Sequence, residues 1–422
     1  MAKLLILADD FTGTLDSAVQ LSKWGLRVKI SADSALDFSC CSDFDVIAVD
    51  MESRHLSPEK AYQKIYTAVR RAAQYGIHFF YKKTDSALRG NIGSELTALS
   101  DAAGKKPVFF LPAHPDAQRY TIGGIQYIGD TPVSESIFSR DPFEPVGHSD
   151  IAFLIGEESP IPVRTLDTGQ LASAASEDSQ QIIVVNGKEG QDLENALHTL
   201  KQQKRRLFAG CAGFAAYLHH FFPGAQRTVC HPVKTDSLIV ISGSLNEVTQ
   251  KQIAYFQSCG ARCYALTPAQ KLTKRFFYSP EGNHFIRKLL SDVSAGIPIA
   301  VHTFDSRTDE TKSVSMQCGI TASGLRRLIT DNIGDLTELL IQKHFNLTFV
   351  LIGGDSLYGF MKKHPEAEIS LSGEISKDTV LLHMYLDGHF VQLVTKAGGL
   401  GTTAVLQEIN HLCCKKEDMK IV

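Results

Sequence analysis

With 422 residues, the chain is longer than one hydrophobic core usually organises, and two domains are expected. A hydrophobic share of 43% and a charged share of 21% are ordinary for a globular enzyme, and no apolar run approaches the roughly 18 residues of a membrane span. A formal net charge of −3 without a basic block argues against a nucleic-acid surface.

Leu4–Leu7 reads as a strand running into Ala8-Asp9-Asp10, then a Thr-Gly turn and an amphipathic helix over Thr14–Trp24. Ligands of open α/β sheets sit at the carboxyl ends of strands. Asp9, Asp10 and Asp16 would therefore crowd at such an end, beside the N–H groups of a helix start. One Asp there is as readily a helix cap; two in succession point to a site. Further strands are expected near Val28–Ser31, Val46–Val49, His78–Lys82, Val108–Leu111, Ala152–Ile155 and Ile182–Val185, and helices at Pro58–Gln74, Gly93–Ala103 and Gln191–Gln203. Gly124–Val133 reads as a hairpin turning at Gly129-Asp130, and Phe208–Phe222 as a buried helix. The alternation implies α/β architecture with mainly parallel sheets flanked by helices.

Polar clusters follow several of these strands. Ser53-Arg54 comes after Val46–Val49. The run Lys82-Lys83-Thr84-Asp85-Ser86-Ala87-Leu88-Arg89 lies between a strand and a helix, and His114 and Arg119 come after Val108–Leu111. An arginine can grip a carboxylate in bidentate fashion, while hydroxyl and carboxylate groups order sugar hydroxyls. An edge carrying both signs of charge suits a polyol acid better than an apolar ligand.

The second half repeats strand, small-residue turn and helix start three times: Ser237–Ile241 into Ser242-Gly243-Ser244, Leu347–Ile352 into Gly353-Gly354-Asp355-Ser356, and Phe390–Thr395 into Lys396–Gly401 with a helix over Thr402–Ile409. Each aims backbone N–H groups and the positive end of a helix dipole at one place, which suits phosphate. Neither G-x-x-x-x-G-K-[ST] nor G-x-G-x-x-G occurs, so the nucleotide reading rests on the three turns together. The breaker-rich stretch 225–236 is the expected linker, separating domains at 1–228 and 237–415.

The N-terminus lacks a basic segment and enters a strand at once, so no signal peptide is expected and a cytoplasmic location is. The nine cysteines are odd in number and scattered, without the paired spacing or nearby histidines of a zinc site. Reduced thiols are expected.

Together these motifs resemble the four-carbon acid sugar kinase family: Ala8-Asp9-Asp10-Phe11-Thr12-Gly13, Lys83–Gly90, Pro112-Ala113-His114-Pro115, Arg119-x-Thr121-x-Gly123, Ser242-Gly243-Ser244 with Thr249-x-x-Gln252, Gly353–Ser356 and Lys396–Gly401. The resemblance runs in order through nearly the whole chain and lies closest to the D-threonate and D-erythronate kinases. It implies an N-terminal acid-sugar domain, a C-terminal ATP domain and an active site in the cleft between them. The reaction implied is transfer of the γ-phosphate of ATP to the terminal hydroxyl of a four-carbon sugar acid, D-threonate first, with D-erythronate or 3-oxo-tetronate as alternatives.

By the same resemblance, substrate contacts fall to Asp10, Arg54, Lys82, Lys83, Thr84 and Asp85, with Asp9 and Arg89 added. ATP contacts fall to Ser244, Gly353, Gly354, Asp355, Ser356 and Gly399. Departures from the family pattern are Thr14, Leu245 and Thr402. Mg²⁺ is expected on the phosphates, largely hydrated, with its protein ligands unknown. Asp10 is favoured as the carboxylate that accepts the acceptor hydroxyl's proton, ahead of Asp9 and Asp85. The partners are then a sugar acid and ATP, with no nucleic acid or membrane; a homo-oligomer is allowed by the pattern. Two other readings compete with this one. A haloacid-dehalogenase-type phosphatase needs a second Asp two residues after the first, and Phe11 and Thr12 stand there instead. A two-lobed sugar-acid-binding protein without catalysis would not need three glycine turns in one lobe.

Overall fold

The computed structural model describes residues 3–32, 36–141, 144–228, 231–305, 310–343, 346–364, 367 and 369–415. The chain divides into two compact units, Met1–Thr228 and Val229–Val422. Residues 229 and 230 of the expected linker, Cys230 among them, lie outside the described residues.

In the first unit the chain forms β1 (Leu4–Ala8), β2 (Val28–Ser31), β3 (Val46–Asp50), β4 (Phe80–Lys83), β5 (Val108–Leu111), β6 (Arg119–Ile122), β7 (Ile125–Ile128), β8 (Thr131–Pro132), β9 (Val163–Leu166), β10 (Ile182–Val185) and β11 (Leu207–Gly210). Eight of these make one wholly parallel sheet in the order β2-β3-β1-β4-β11-β5-β10-β9. Its central strands are buried along their length and read as apolar runs, except for Lys82 and Lys83 at the carboxyl end of β4. From β1 the chain builds β2 and β3 on one side and then crosses to β4 on the other. That reversal opens the ligand crevice of an open sheet at the carboxyl ends of β3, β1 and β4. Strands β6, β7 and β8 form a small antiparallel sheet, with the turn between β7 and β8 at Gly129-Asp130 as expected.

Two first-half expectations are corrected. Ala152–Ile155 is not a strand but part of the helix Ile151–Gly156, capped by Asp150, whose carboxylate accepts the Phe153 N–H at 3.0 Å. Phe208–Phe222 is not one buried helix. It opens with β11, between β4 and β5, and continues as the short helix Ala212–Ala215 and a 3₁₀ turn. A short apolar run buried on both sides has no periodicity that separates strand from helix.

The second unit contributes β12 (Ser237–Ser242), β13 (Arg262–Ala265), β14 (Ile299–His302), β15 (Leu347–Ile352), β16 (Ile369–Ser376), β17 (Thr379–Leu386) and β18 (His389–Lys396) in one sheet ordered β13-β14-β12-β15-β18-β17-β16. The first five strands are parallel, and β17 and β16 add an antiparallel edge. Beneath it Leu238, Val240, Val350, Val394 and Leu406 belong to one core. Strands β12, β15 and β18 are neighbours, so all three glycine turns leave the same edge of this sheet. Cysteines 41, 211, 259, 263, 318, 413 and 414 are free thiols.

Candidate active site

At the carboxyl edge of the first sheet, Asp10 takes extended backbone angles and caps the helix Phe11–Ser22, its Oδ1 accepting the Gly13 N–H at 2.8 Å. A Cβ at Gly13 would lie 2.5 Å from the Lys83 ammonium and 2.7 Å from Asp10 Oδ1, so glycine leaves both side chains where they stand. The loop after β3 turns back over this helix start. The Ser53 and Arg54 N–H groups donate to the Asp9 carbonyl at 3.1 and 3.3 Å. The Asn91 amide holds the loop from behind, donating to the carbonyls of Ser53, Arg54 and Leu56.

Arg54 is thereby placed among three carboxylates. Its Nε donates to Asp9 at 2.7 Å, one terminal nitrogen sits 2.8 Å from Asp10, and the other lies 3.8 Å from Asp85. Asp85 in turn takes a bidentate grip from Arg89, at 2.9 and 3.0 Å, and Arg89 reaches Asp141 at 3.0 Å. The ring of Phe138 lies beneath both Arg89 and Arg119, 5.2 and 5.7 Å from their guanidinium carbons.

Lys82 and Lys83 point to opposite sides of the sheet, as successive strand residues must. Lys82 is fully buried against Glu95 at 2.9 Å and its own neighbour's carbonyl at 2.7 Å. Lys83 faces the site, 3.9 Å from Asp9 Oδ1. Asp9 Oδ1 and the Thr84 hydroxyl are buried without a hydrogen-bond partner among the described residues.

The charges set the protonation states. Burial would raise the Asp9 carboxyl, but Arg54, Lys83 and Lys82 overcome it and hold Asp9 below the usual carboxylate range. Asp85 is buried too, and Arg89 and Arg54 hold it far below that range. Asp50, at the tip of β3, goes the other way. Burial, together with Glu52, Asp10 and Asp9, pushes its carboxyl well above the usual range, and its Oδ2 has no partner among the described residues. Burial also raises Glu95, despite Lys82.

The sequence reading thus has Asp9, Asp10, Arg54, Lys83, Thr84, Asp85 and Arg89 at one edge, with Lys82 behind them. Asn91, Glu95, Asp50 and Asp141 were missed. Glu95 and Asn91 carried no motif of their own; their roles come from register against β1 and the loop after β3.

In the second unit the three turns interlock. The Gly243 N–H donates to Ser356 Oγ at 2.8 Å, and that hydroxyl donates to the Ile352 carbonyl at 2.9 Å, so Ser356 is a buried tie between two turns. The Gly353 N–H donates to the Lys396 carbonyl at 3.0 Å, with Gly353 in the left-handed region at φ 95°. The Lys396 ammonium is buried, donating to the Ala397 and Leu400 carbonyls at 2.6 and 2.7 Å, and shapes the third turn from within. From the helix Glu247–Ser258, the Gln252 amide donates to the carbonyls of Leu400, Gly401 and Thr402, and Thr249 to that of Gly398. Asp355 is paired with Arg326 through both oxygens. Ser244, Gly353, Gly354 and Gly399 stay partly open to solvent at this edge. Backbone N–H groups at the carboxyl ends of three adjacent parallel strands, backed by the helix Gly354–Met361, fit a nucleotide's phosphates.

Residues 4–218 match a family model described as a sugar-binding N-terminal domain, and residues 239–406 one described as a nucleotide-binding C-terminal domain. The chain is 27% identical to a D-threonate kinase of Salmonella typhimurium over 424 aligned residues, covering 96% of each chain. It is 29% identical to a D-threonate kinase of Bordetella bronchiseptica, covering 95% of each, and 24% identical to a D-erythronate kinase of Heliobacterium modesticaldum, covering 96% and 95%. A crystal structure from Salmonella typhimurium LT2 shares the fold, with a TM-score of 0.76 at 19% identity over 97% of this chain and 99% of that one. The chain belongs to the four-carbon acid sugar kinase family. It is an enzyme, a kinase, and its kinase relatives imply ATP as its phosphoryl donor. Among the described residues no helix is long and apolar enough to cross a membrane.

Proposed function

We propose that this kinase phosphorylates the terminal hydroxyl of D-threonate, giving 4-phospho-D-threonate, with MgATP and in the cytoplasm. The reading is carried by three adjoining polar groups. The Lys83 ammonium lies 3.9 Å from Asp9 Oδ1, beyond hydrogen-bond distance, and among the described residues Asp9 Oδ1 and Thr84 Oγ1 are buried without a hydrogen-bond partner. A buried polar group left unsatisfied is costly, and a hydroxy acid carries the matching donors and acceptors. The two full-length D-threonate kinase relatives support that acid ahead of D-erythronate and of the 3-oxo-tetronate named in a relative at 26% identity.

In this reading Lys83 and Arg89 hold the acid by charge, and Arg54 keeps Asp9 ionised and fixes the side chains of Asp9 and Asp10. Asp10, whose side chain keeps 19% of its surface exposed, accepts the terminal hydroxyl's proton. Asp85, with both oxygens on Arg89, orients that guanidinium. Lys82 pairs with Glu95 behind this edge, and Glu95 accepts from the hydroxyl of Ser53, whose N–H donates to the Asp9 carbonyl. In the second unit, Ser244, Gly353, Gly354 and Gly399 hold the phosphates, with Ser356 fixing the turns and Asp355 placed for the ribose or the metal. The nucleotide supplies the γ-phosphoryl group and Mg²⁺ its charge neutralisation. Mg²⁺ would sit on the phosphates with most of its waters, as its small size and reluctance to dehydrate favour.

The experiment is ADP release from purified protein, MgATP and a panel of four-carbon sugar acids, with the product's phosphate located by ³¹P–¹H NMR. D-Threonate should give the highest kcat/KM. A higher value for D-erythronate would change the substrate. No turnover with any acid, and no ATP binding by calorimetry, would overturn the reading.

A further inference from the structure

The opposite edge of the first sheet, where the strands begin, holds a cavity of about 420 Å³ at the amino ends of β4, β5 and β11. Its walls carry Arg70, Lys106, Lys204, Arg205, Arg206 and His78, and a single carboxylate, Asp178. Asp178 is already engaged, by Arg205 at 2.6 Å and by Lys106 at 3.6 Å. Arg206 lies over the rings of Phe79 and Phe221, at 5.4 and 4.9 Å. The side chains of Arg70, Lys204 and His78 are exposed and make no hydrogen bond or ion pair among the described residues.

Helix dipoles do not account for this concentration of charge. Three helices end beside the cavity, Pro58–Gln74, Ile92–Ala102 and Gly190–Gln202. Each C-terminus presents about half a negative charge, roughly one and a half in all. Five arginines and lysines against one aspartate exceed that, in a chain whose formal net charge is −3. The excess is local, set in a half-open cavity and partly unpaired. The volume is that of a small-molecule site, too small for a nucleic-acid surface.

We propose that this cavity binds a small phosphorylated anion, with Arg70 and Lys204 as its principal cations, at a site separate from the substrate edge. The guanidinium fork of Arg70 and the mobile ammonium of Lys204 suit phosphate oxygens. The site shares its strands with the catalytic edge. β4 begins at Phe80 in the cavity and ends at Lys83 beside Asp9, and β11 pairs with it throughout. Three residue steps of about 3.3 Å each separate Phe80 from Lys83.

The test is calorimetric titration of the full chain with inorganic pyrophosphate in 0.1 M NaCl, for wild type, for Arg70→Glu with Lys204→Glu, and for Gly399→Leu. Neither cation belongs to the catalytic machinery, and both are exposed. The double variant should therefore keep its melting temperature and its kinase turnover within twofold. Its pyrophosphate affinity should fall at least tenfold, while Gly399→Leu leaves this binding event unchanged. Equal affinity in wild type and the double variant, loss of binding only in Gly399→Leu, or no binding in wild type would each overturn the proposal.

Discussion

Asp10 uses its two oxygens differently, one to cap the first helix and one to face Arg54. Asparagine keeps an oxygen for the cap and loses the charge and the basicity. Asp10→Asn should therefore retain the fold while kcat falls roughly 10²-fold or more, the scale of a general base. Retained turnover would move the proton acceptor to Asp9 or Asp85. Asp50 gives a prediction of the opposite kind. Its folded carboxyl is raised by burial and by Glu52, Asp10 and Asp9. Between its unfolded value, about 3.9, and that raised folded value, the native state binds the extra proton, so stability falls as pH rises. Asp50→Asn removes this cost and still offers an oxygen to the Glu52 N–H, which Asp50 accepts at 2.9 Å. The variant should gain stability over wild type as pH rises from 4 to 7 and show no gain near pH 3. Denaturant midpoints across that range check it, and a gain that does not grow with pH would refute it. Asp9 and Asp85 carry the reverse sign. Their folded pKa values are depressed, so they stabilise above the unfolded carboxylate value, and that contribution is lost as pH falls through the folded ones.

At the scale of elements, packing is decided where backbones approach closely. The helices Ala322–Lys343 and Gly354–Met361 cross at Gly334 and Gly359, and a Cβ at Gly334 would overlap the Gly359 carbonyl. Gly334→Ala should cost roughly 1–3 kcal/mol, read as a lower denaturant midpoint at unchanged slope. Gly156→Ala, in a helix with open space around it, should be neutral or stabilising by up to about 1 kcal/mol. Equal effects at the two positions would show that the close crossing is not what sets the cost.

Periodicity and turn chemistry made most of these elements legible. The helix Pro58–Gln74 announces itself by Ser57-Pro58 and an apolar stripe, and β1, β12 and β15 by apolar runs before acidic or glycine turns. β9 was missed because it is a half-exposed edge strand. The hairpin of β17 and β18 was missed although Asp387-Gly388, with φ 48° and 79°, is the turn such a pair demands. Of the site, the residues that follow β1, β3 and β4 as polar runs were legible, whereas Asp50, which ends the apolar run of β3 as a single carboxylate, was not. Asn91, Glu95 and Asp141 were not, because long-range register and loop contacts bring them there.

For the whole molecule, the two sheets divide the chemistry. All the carboxylates and cations around Arg54 belong to the first unit, and all three glycine turns to the second. A change at the third turn should then touch the nucleotide alone. Gly399 lies partly open at that turn and outside the positive-φ region, so a side chain there imposes no backbone strain. Gly399→Leu should put a side chain between the turn and the phosphates and raise KM for ATP by about tenfold or more, a loss of about 1.4 kcal/mol of binding. The dissociation constant of the sugar acid, measured without nucleotide, should stay within twofold. Comparing the two constants separates local from shared binding. If acid affinity falls as far as ATP affinity, the third turn contributes to both ligands and the division of labour between the units fails; if only ATP is affected, each sheet edge recognises its own ligand.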